Sequence, residues 1–306
     1  MIVDKRMSLA AAVGRFVPDG ASVVMGTCLE SMIPFAAGHE LIRQRKRDLT
    51  LMGPISDILF DQLIGAGCVA RIQAAWVGNV SAGLGHAYRR AAEQGIPRPI
   101  VVEDYTNYSI SLALLAGAHG LPYIPCRSGI GTDVVKNHPG FLESTSPFDG
   151  EQVLLVRARR PDIAIVAVQR ADAEGNAHLW GNLGITEEAG LAAGRIILLA
   201  EEIVEQRDIL SDPNRVLFPA FLVSAVVHCP GACHPSPVQG CYRRDHEFYA
   251  EYHRETRTVD GMAEWLERWV HAVADHAAYL ERLGQERWEA LRRLQPAPAA
   301  AVDYAW

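Results

Sequence analysis

Short apolar runs alternate with helical stretches along much of this 306-residue chain, and the alternation constrains the fold more than any single motif. Val23-Val24-Met25, Leu49-Thr50-Leu51-Met52, Val69 to Val77 and Ile100-Val101-Val102 read as buried strands, being short, apolar and rich in β-branched residues. Each stops at a turn or polar signal: Gly26-Thr27, Gly53-Pro54, Gly78-Asn79 and Glu103-Asp104-Tyr105. Between them Phe35 to Arg45, opened by Pro34, and Ile58 to Ile64, Ala87 to Gln94 and Ser109 to His119 read as helices; Gly65, Gly95 and Gly120 suit their C-termini. Leu121 to Pro125 then leads to Arg127-Ser128-Gly129-Ile130-Gly131. The pattern predicts an α/β fold, an open and mainly parallel sheet with helices on both faces.

Ser8 caps a first helix over Leu9 to Arg15, and Pro18-Asp19-Gly20 turns the chain. Thr132 to Glu151 is a polar connection, not a domain boundary, because the strand pattern resumes after it. Ile163 to Val168 is a buried strand whose exit through Ala171 to Asn176 into Ala177-His178-Leu179-Trp180 reads as a hairpin. Ile196 to Leu199, running into Glu201-Glu202, and Val223 to Val227 are the last strands. Met262, Trp265, Leu266, Trp269, Val270 and Val273 then recur at helical spacing, with Asp260 as the expected cap. Gly284 breaks that pattern, Trp288, Leu291 and Leu294 give a second short face, and Pro296 to Trp306 reads as a loose tail. The expectation is one domain over 1–306, with 259–294 as a C-terminal helical segment.

Hydrophobic residues make up 49% and charged residues 21%, the balance of a globular chain with a sizeable core. The net charge, 29 − 36 = −7, argues against nucleic acid or an anionic membrane as partner. No apolar run approaches the ~18 residues of a membrane span, and the first residues carry no leader pattern. Six cysteines in mostly apolar surroundings indicate reduced thiols and a cytoplasmic location. Cys229 and Cys233, with His228, His234 and Cys241, raise a zinc reading, but a second close pair is missing and no metal is expected. P-loop, G-x-S-x-G and H-E-x-x-H patterns are absent.

Ligands of parallel α/β sheets bind beyond the carboxyl ends of the strands. The expected cleft is lined by the strand-end residues above together with Arg127-Ser128-Gly129, glycine allowing a ligand close to the backbone. Arg127 could hold a carboxylate or phosphate, or pair with Glu103 or Asp104. Glu30 could act as nucleophile or base, or be an acid placed near a helix N-terminus.

The blocks Met32-Ile33-Pro34-Phe35-Ala36-Ala37, Val102-Glu103-Asp104-Tyr105, Leu121 to Pro125, Asp162 to Ile165, Gln169-Arg170-Ala171, Gly175-Asn176, Trp180-Gly181, Glu201 to Val204, Pro230-Gly231-Ala232, His234-Pro235-Ser236 and Tyr242 to Phe248 occur in an order that resembles a known family. The chain is similar, from about Leu9 to Leu294, to the α (A) subunit of class I coenzyme A transferases of the glutaconate type. The resemblance implies ping-pong transfer of CoA between carboxylic acids by a heterotetramer or larger assembly with a β subunit. The substrates are then acyl-CoA and carboxylic acids, and coenzyme A is a substrate, no cofactor being permanently bound. It also implies that the attacking Glu belongs to the β subunit, since this chain has no Ser-Glu-Asn-Gly-like stretch, and leaves Glu30 only as a fallback catalytic residue. Gly26, Thr27, Ser31, Gly53, Asn79, Tyr105, Asn107, Arg127, Ser128 and Gly129 are the expected substrate- and CoA-binding residues. Where the glutaconate type carries basic residues before its Pro, this chain has Glu30-Ser31-Met32-Ile33, a departure that counts against a dicarboxylate substrate. A related branch, ring-opening CoA-thioester hydrolases, uses an acid in the central block, where this chain has Thr106 and Asn107, with Glu103 and Asp104 slightly earlier. A hydrolase of cyclic or β-keto acyl-CoA and a non-catalytic ligand-binding module remain the alternatives.

Overall fold

The computed structural model describes residues 3–136 and 138–292. Its strands are β1 (Ser22–Val24), β2 (Leu49–Ile55), β3 (Val69–Trp76), β4 (Gly78–Asn79), β5 (Gly83–Leu84), β6 (Val101–Asp104), β7 (Tyr123–Cys126), β8 (Phe141–Thr145), β9 (Gln152–Arg157), β10 (Ile163–Ala171), β11 (Ala177–His178), β12 (Arg195–Ile203) and β13 (Val223–His228). Its α-helices are α1 (Leu9–Phe16), α2 (Phe35–Arg43), α3 (Asp57–Gly65), α4 (His86–Gln94), α5 (Asn107–Ala118), α6 (Thr186–Ala192), α7 (Gln206–Leu210), α8 (His246–Glu255), α9 (Val259–Leu266), α10 (His276–Leu283) and α11 (Gln285–Arg292).

Seven parallel strands in the order β13-β12-β10-β1-β2-β3-β6 form the main sheet, and β11 pairs antiparallel with the end of β10. Both faces are covered, as the apolar runs require. Val23, Met25, Ile163, Ile165, Ile197 and Leu199 pack on one side with residues of α1–α4 and α8–α10. Val24, Ala164, Val166, Ile196 and Leu198 pack on the other side with α5 and α6. The two-residue alternation of burial follows from the pleat.

The sequence reading is corrected at several points. The Tyr123 region does not continue the main sheet: β7 forms a separate antiparallel sheet, β7-β9-β8. Pro122 and Pro125 lack the N–H groups that a central ladder uses, which suits β7 to an edge position. The connection 132–151 contains β8. β2 continues through Gly53-Pro54 to Ile55, with Gly53 opposite Ala74 and Ile55 opposite Trp76. Glu103-Asp104 and Glu201-Glu202 lie inside β6 and β12, not beyond them. α6 and α8 had no helix assignment from the sequence. Asp260 lies in the first turn of α9; the cap is Thr258, whose hydroxyl accepts from Gly261 N at 3.0 Å. Met262, Trp265, Leu266, Trp269, Val270 and Val273 are buried together, although a π turn interrupts the helix over Glu267–His271. The readings at Leu294 and Pro296 to Trp306 fall outside the described residues.

Candidate active site at the ends of β1, β2 and β3

The chain leaves β1 through Gly26, whose φ of +66° lies in the left-handed region. A Cβ there would collide with Ser56, so the ends of β1 and β2 can approach only with glycine at this place. Ser56 closes the approach by donating its hydroxyl to Met25 O at 3.0 Å. Leu29 and Met32 also take left-handed φ values, 62° and 55°, and fold residues 26–34 into a tight loop.

Distant segments hold that loop. Thr27 Oγ1 lies 2.7 Å from Thr186 Oγ1, and Ile185 N donates to Thr27 O at 2.9 Å. Asn182 Nδ2 donates to Cys28 O at 3.0 Å, and Gly184 passes so close to Thr27 O that no side chain fits there. From the other side Ser236 Oγ donates to Glu30 O at 2.7 Å, and Met32 N donates to Pro237 O at 2.9 Å. The N–H groups of Gly26, Thr27, Leu29 and Glu30 make no hydrogen bond to another described residue.

Beside the loop Asp57, fully buried, opens α3 with φ at 45°. Burial pushes its carboxyl above the ordinary value, against the pull of Arg244. Val80 N donates to Asp57 Oδ1 at 3.1 Å, and Arg244 Nη2 donates to Oδ2 at 2.7 Å. The Arg244 guanidinium lies over the Tyr249 ring, 3.7 Å from its centroid. Nη1 stands 3.7 Å from Glu30 Oε2.

The residues after Arg244 anchor its backbone. Asp245 caps α8 through Phe248 N and accepts from Arg287 Nε at 2.7 Å and Nη2 at 2.8 Å. His234 completes the network, with Nε2 3.0 Å from Asp245 Oδ2 and Nδ1 2.6 Å from the Tyr279 hydroxyl. Burial lowers the pKa of His234, so its neutral ring donates from Nε2 and accepts at Nδ1. Burial alone would raise the Asp245 carboxyl; the bonds from His234 and Arg287 outweigh it and hold the group well below the carboxylate range.

The expected site residues divide into three groups. Gly26, Thr27, Ser31, Gly53 and Asn79 come from the neighbouring strands β1, β2 and β3 and the chain leaving them, but several are committed internally. The Thr27 hydroxyl is tied to Thr186, and Ser31 Oγ donates to Cys28 O at 3.1 Å. Buried Asn79 donates to Tyr249 O at 2.7 Å and accepts from Ser81 N at 3.0 Å. Tyr105 and Asn107 follow β6; Asn107 is exposed, whereas Tyr105 is buried and its hydroxyl accepts from Arg159 Nε at 2.8 Å. Arg127, Ser128 and Gly129 follow β7 and so leave the small sheet, not the main one. Arg127 pairs with Asp149 and Glu151 rather than with Glu103 or Asp104. Glu103 is instead held by Arg71 and by Arg159, the latter at 2.7 Å.

Arg244 and Asp57 escaped the sequence reading. The Arg243-Arg244-Asp245 run ahead of an aromatic helix was the available signal, but Asp57 lies 187 positions away. Burial pushes the Cys229 thiol up to about 12 and raises Cys233 as well, so neither offers a thiolate near neutral pH. A cavity of about 750 Å³ lined by Arg43, Arg45, Lys46 and Arg47 opens where α2 and α3 finish, at the opposite end of the strands. Its cations lie against two helix C-termini, whose dipoles favour positive charge.

Comparison with known proteins gives a consistent result. A family profile described as coenzyme A transferase matches residues 6–229. The chain is 37% identical over 279 residues to the A subunit of 3-oxoadipate CoA-transferase from Pseudomonas knackmussii, covering 91% of this chain and 98% of that one. It is 30% identical over 301 residues to the A subunit of glutaconate CoA-transferase from Acidaminococcus fermentans, covering 93% of each. The crystal structure of the glutaconate CoA-transferase from the same organism superposes with a TM-score of 0.89 at 28% identity, over 95% of this chain and 96% of that one.

Proposed function

The chain belongs to the coenzyme A transferase family, as a subunit of the A (α) type in a heteromeric enzyme, and from that premise we propose how its strand-end edge takes part in transfer. An acyl-CoA thioester lies against the loop 26–34. A glutamate carboxylate, supplied by the β subunit, attacks its carbonyl, releasing CoA thiolate and leaving an acyl-glutamyl anhydride. The thiolate attacks the glutamyl carbonyl of that anhydride, giving a glutamyl-CoA thioester and the free carboxylic acid. An acceptor carboxylate then reverses the two steps. The oxyanion of each tetrahedral stage accepts from N–H groups of this loop that have no other partner among the described residues, those of Gly26, Thr27 and Leu29 being the candidates.

The observation that carries this reading is the division of labour at the edge. The loop presents backbone donors, and its carboxylate, Glu30, stands opposite the cation of Arg244. In this reading Glu30 pairs loosely with that cation, at 3.7 Å, and is not the nucleophile. Gly53, Ser31 and Asn79 shape the pocket floor in this reading, and Asn107 borders it. Arg127, Ser128 and Gly129 reach substrate only from the rim of the small sheet. Residues 1–306 act as one α-subunit domain, coenzyme A is a substrate, and the assembly is an α2β2 heterotetramer or larger.

The test is reconstitution. The chain alone transfers no CoA; the assembled pair transfers it between carboxylates and yields a glutamyl-CoA thioester on the β subunit. Release of free CoA with no carboxylate acceptor would move the assignment to a hydrolase. Thr106, the cap of α5, and Asn107, its first residue, supply no acid for that chemistry.

A further inference from the structure

Building on the transferase reading, we propose that Arg244 determines substrate specificity. It binds the distal carboxylate of a dicarboxylic acyl chain, and Glu30 is an internal carboxylate that occupies the guanidinium until substrate displaces it.

The loop 26–34 contains no basic residue, and from its sequence alone a second substrate carboxylate has no partner. Folding changes that. Arg244, from the segment before α8, brings a positive charge to the loop with its side chain only 9% exposed. The Tyr249 ring and Asp57 fix the plane of the guanidinium, and Nη2 also reaches Ser81 Oγ at 3.3 Å. Nε and Nη1 are buried and find no hydrogen-bond acceptor among the described residues. A buried donor left without an acceptor is costly, so such a group has a strong tendency to accept an anionic ligand.

The two carboxylates beside Arg244 differ in kind. Asp57 is fully buried and hydrogen-bonded on both oxygens. Glu30 is 52% exposed and stands 3.7 Å from Nη1, beyond hydrogen-bond distance. Asp57 is therefore structural, and Glu30 is free to leave. Exchanging the Glu30 carboxylate for a substrate carboxylate keeps the local charge constant and gives Nη1 the acceptor it lacks. A monocarboxylic acyl chain has nothing to exchange and leaves Glu30 in place. Glu30 thus sets the threshold that a second substrate carboxylate must overcome.

The experiment offers two acceptors with the same five-carbon backbone, glutarate and its monomethyl ester, to the chain assembled with its β subunit. The readout is the ratio of their kcat/KM values. A charged hydrogen bond of this kind corresponds to about 10- to 100-fold, so the wild type favours glutarate by about tenfold or more. Glu30→Gln removes the internal competitor and raises the ratio about three- to tenfold, through a lower KM for glutarate. Arg244→Lys keeps the charge beside Asp57 but loses the planar geometry, and lowers the ratio about tenfold. Ratios that match the wild type in both variants overturn the assignment. Should Arg244→Lys not assemble, an unchanged ratio in Glu30→Gln overturns it alone. An assembly that transfers CoA to no acceptor refutes the transferase reading instead. Calorimetric titration of that assembly with glutarate then decides Arg244 independently: tighter binding to Glu30→Gln supports it, and equal binding overturns it.

Discussion

Arg244, brought to the β1–β3 edge from the segment before α8, and Arg127, directly after β7, have surroundings that differ in almost every respect. Arg244 is 9% exposed, stacked on Tyr249 and bonded to a buried carboxylate. Arg127 is 65% exposed on the small antiparallel sheet and pairs with Asp149 and Glu151, both on the surface. The edge over β1–β3 is assembled from segments far apart in sequence: Thr186, Asn182, Ser236 and Arg244 all converge on one loop. The small sheet is bordered by its own neighbours. Long-range polar closure, and not a cation at a strand end, distinguishes the edge over β1–β3 from the small sheet.

The contrast can be broken in several ways. The largest expected effect comes from acid, acting on the support beneath Arg244. Burial holds His39 down to about 3 and His276 to about 4, and lowers His234, and all three rings pack around Tyr279. Their folded values lie below the unfolded value of about 6.5, so their contribution is complete above that pH and is lost as pH falls toward 4. His39 and His276 each contribute a slope of about 1.4 kcal/mol per pH unit across that window, and His234 adds in the same direction. Urea midpoints at pH 7.5, 5.5 and 4.5 should fall steeply below pH 6.5, and a flat profile would remove the neutral-histidine account.

Arg244→Leu comes next, because it strands the Asp57 carboxylate in the interior. A loss of about 3–5 kcal/mol is expected in denaturant unfolding. A loss below about 1 kcal/mol would show that Asp57 does not depend on Arg244. Gly26→Ala should cost about 1–3 kcal/mol, from the left-handed backbone and the collision with Ser56. A neutral result would mean that the β1 and β2 ends can separate without penalty. Arg127→Leu should change stability by less than about 1 kcal/mol, since both of its ion pairs are exposed. A larger loss would erase the distinction between the two arginines.

Strand–helix alternation was legible because buried parallel strands need near-continuous apolar runs. It located β1, β2, β3, β6, β10, β12 and β13, the whole parallel sheet, with ends displaced by a few residues. β8 and β9 were not legible as strands of a second sheet. β8 exposes much of its length, and its Phe141-Leu142-Glu143-Ser144-Thr145 sequence has no apolar run to signal it. α8 was missed because its ten residues offer one short aromatic face, Phe248, Tyr249 and Tyr252, with charged residues and histidines on either side. The loop 26–34 was found from its glycine and proline, which are local signals. Arg244 and Asp57 were not found, because nothing local in the chain records that they meet. The same limit explains the inference drawn from the missing base at Glu30-Ser31-Met32-Ile33, since the charge absent from the loop arrives from position 244.

The central claim is that this chain shapes the acyl pocket while the attacking carboxylate belongs to the β subunit. Incubating the assembled enzyme with an acyl-CoA, trapping the thioester with borohydride and mapping both chains by mass spectrometry tests it most directly. The account predicts an unmodified Glu30 in this chain and reduction at one glutamate of the β subunit. Reduction at Glu30 would contradict it.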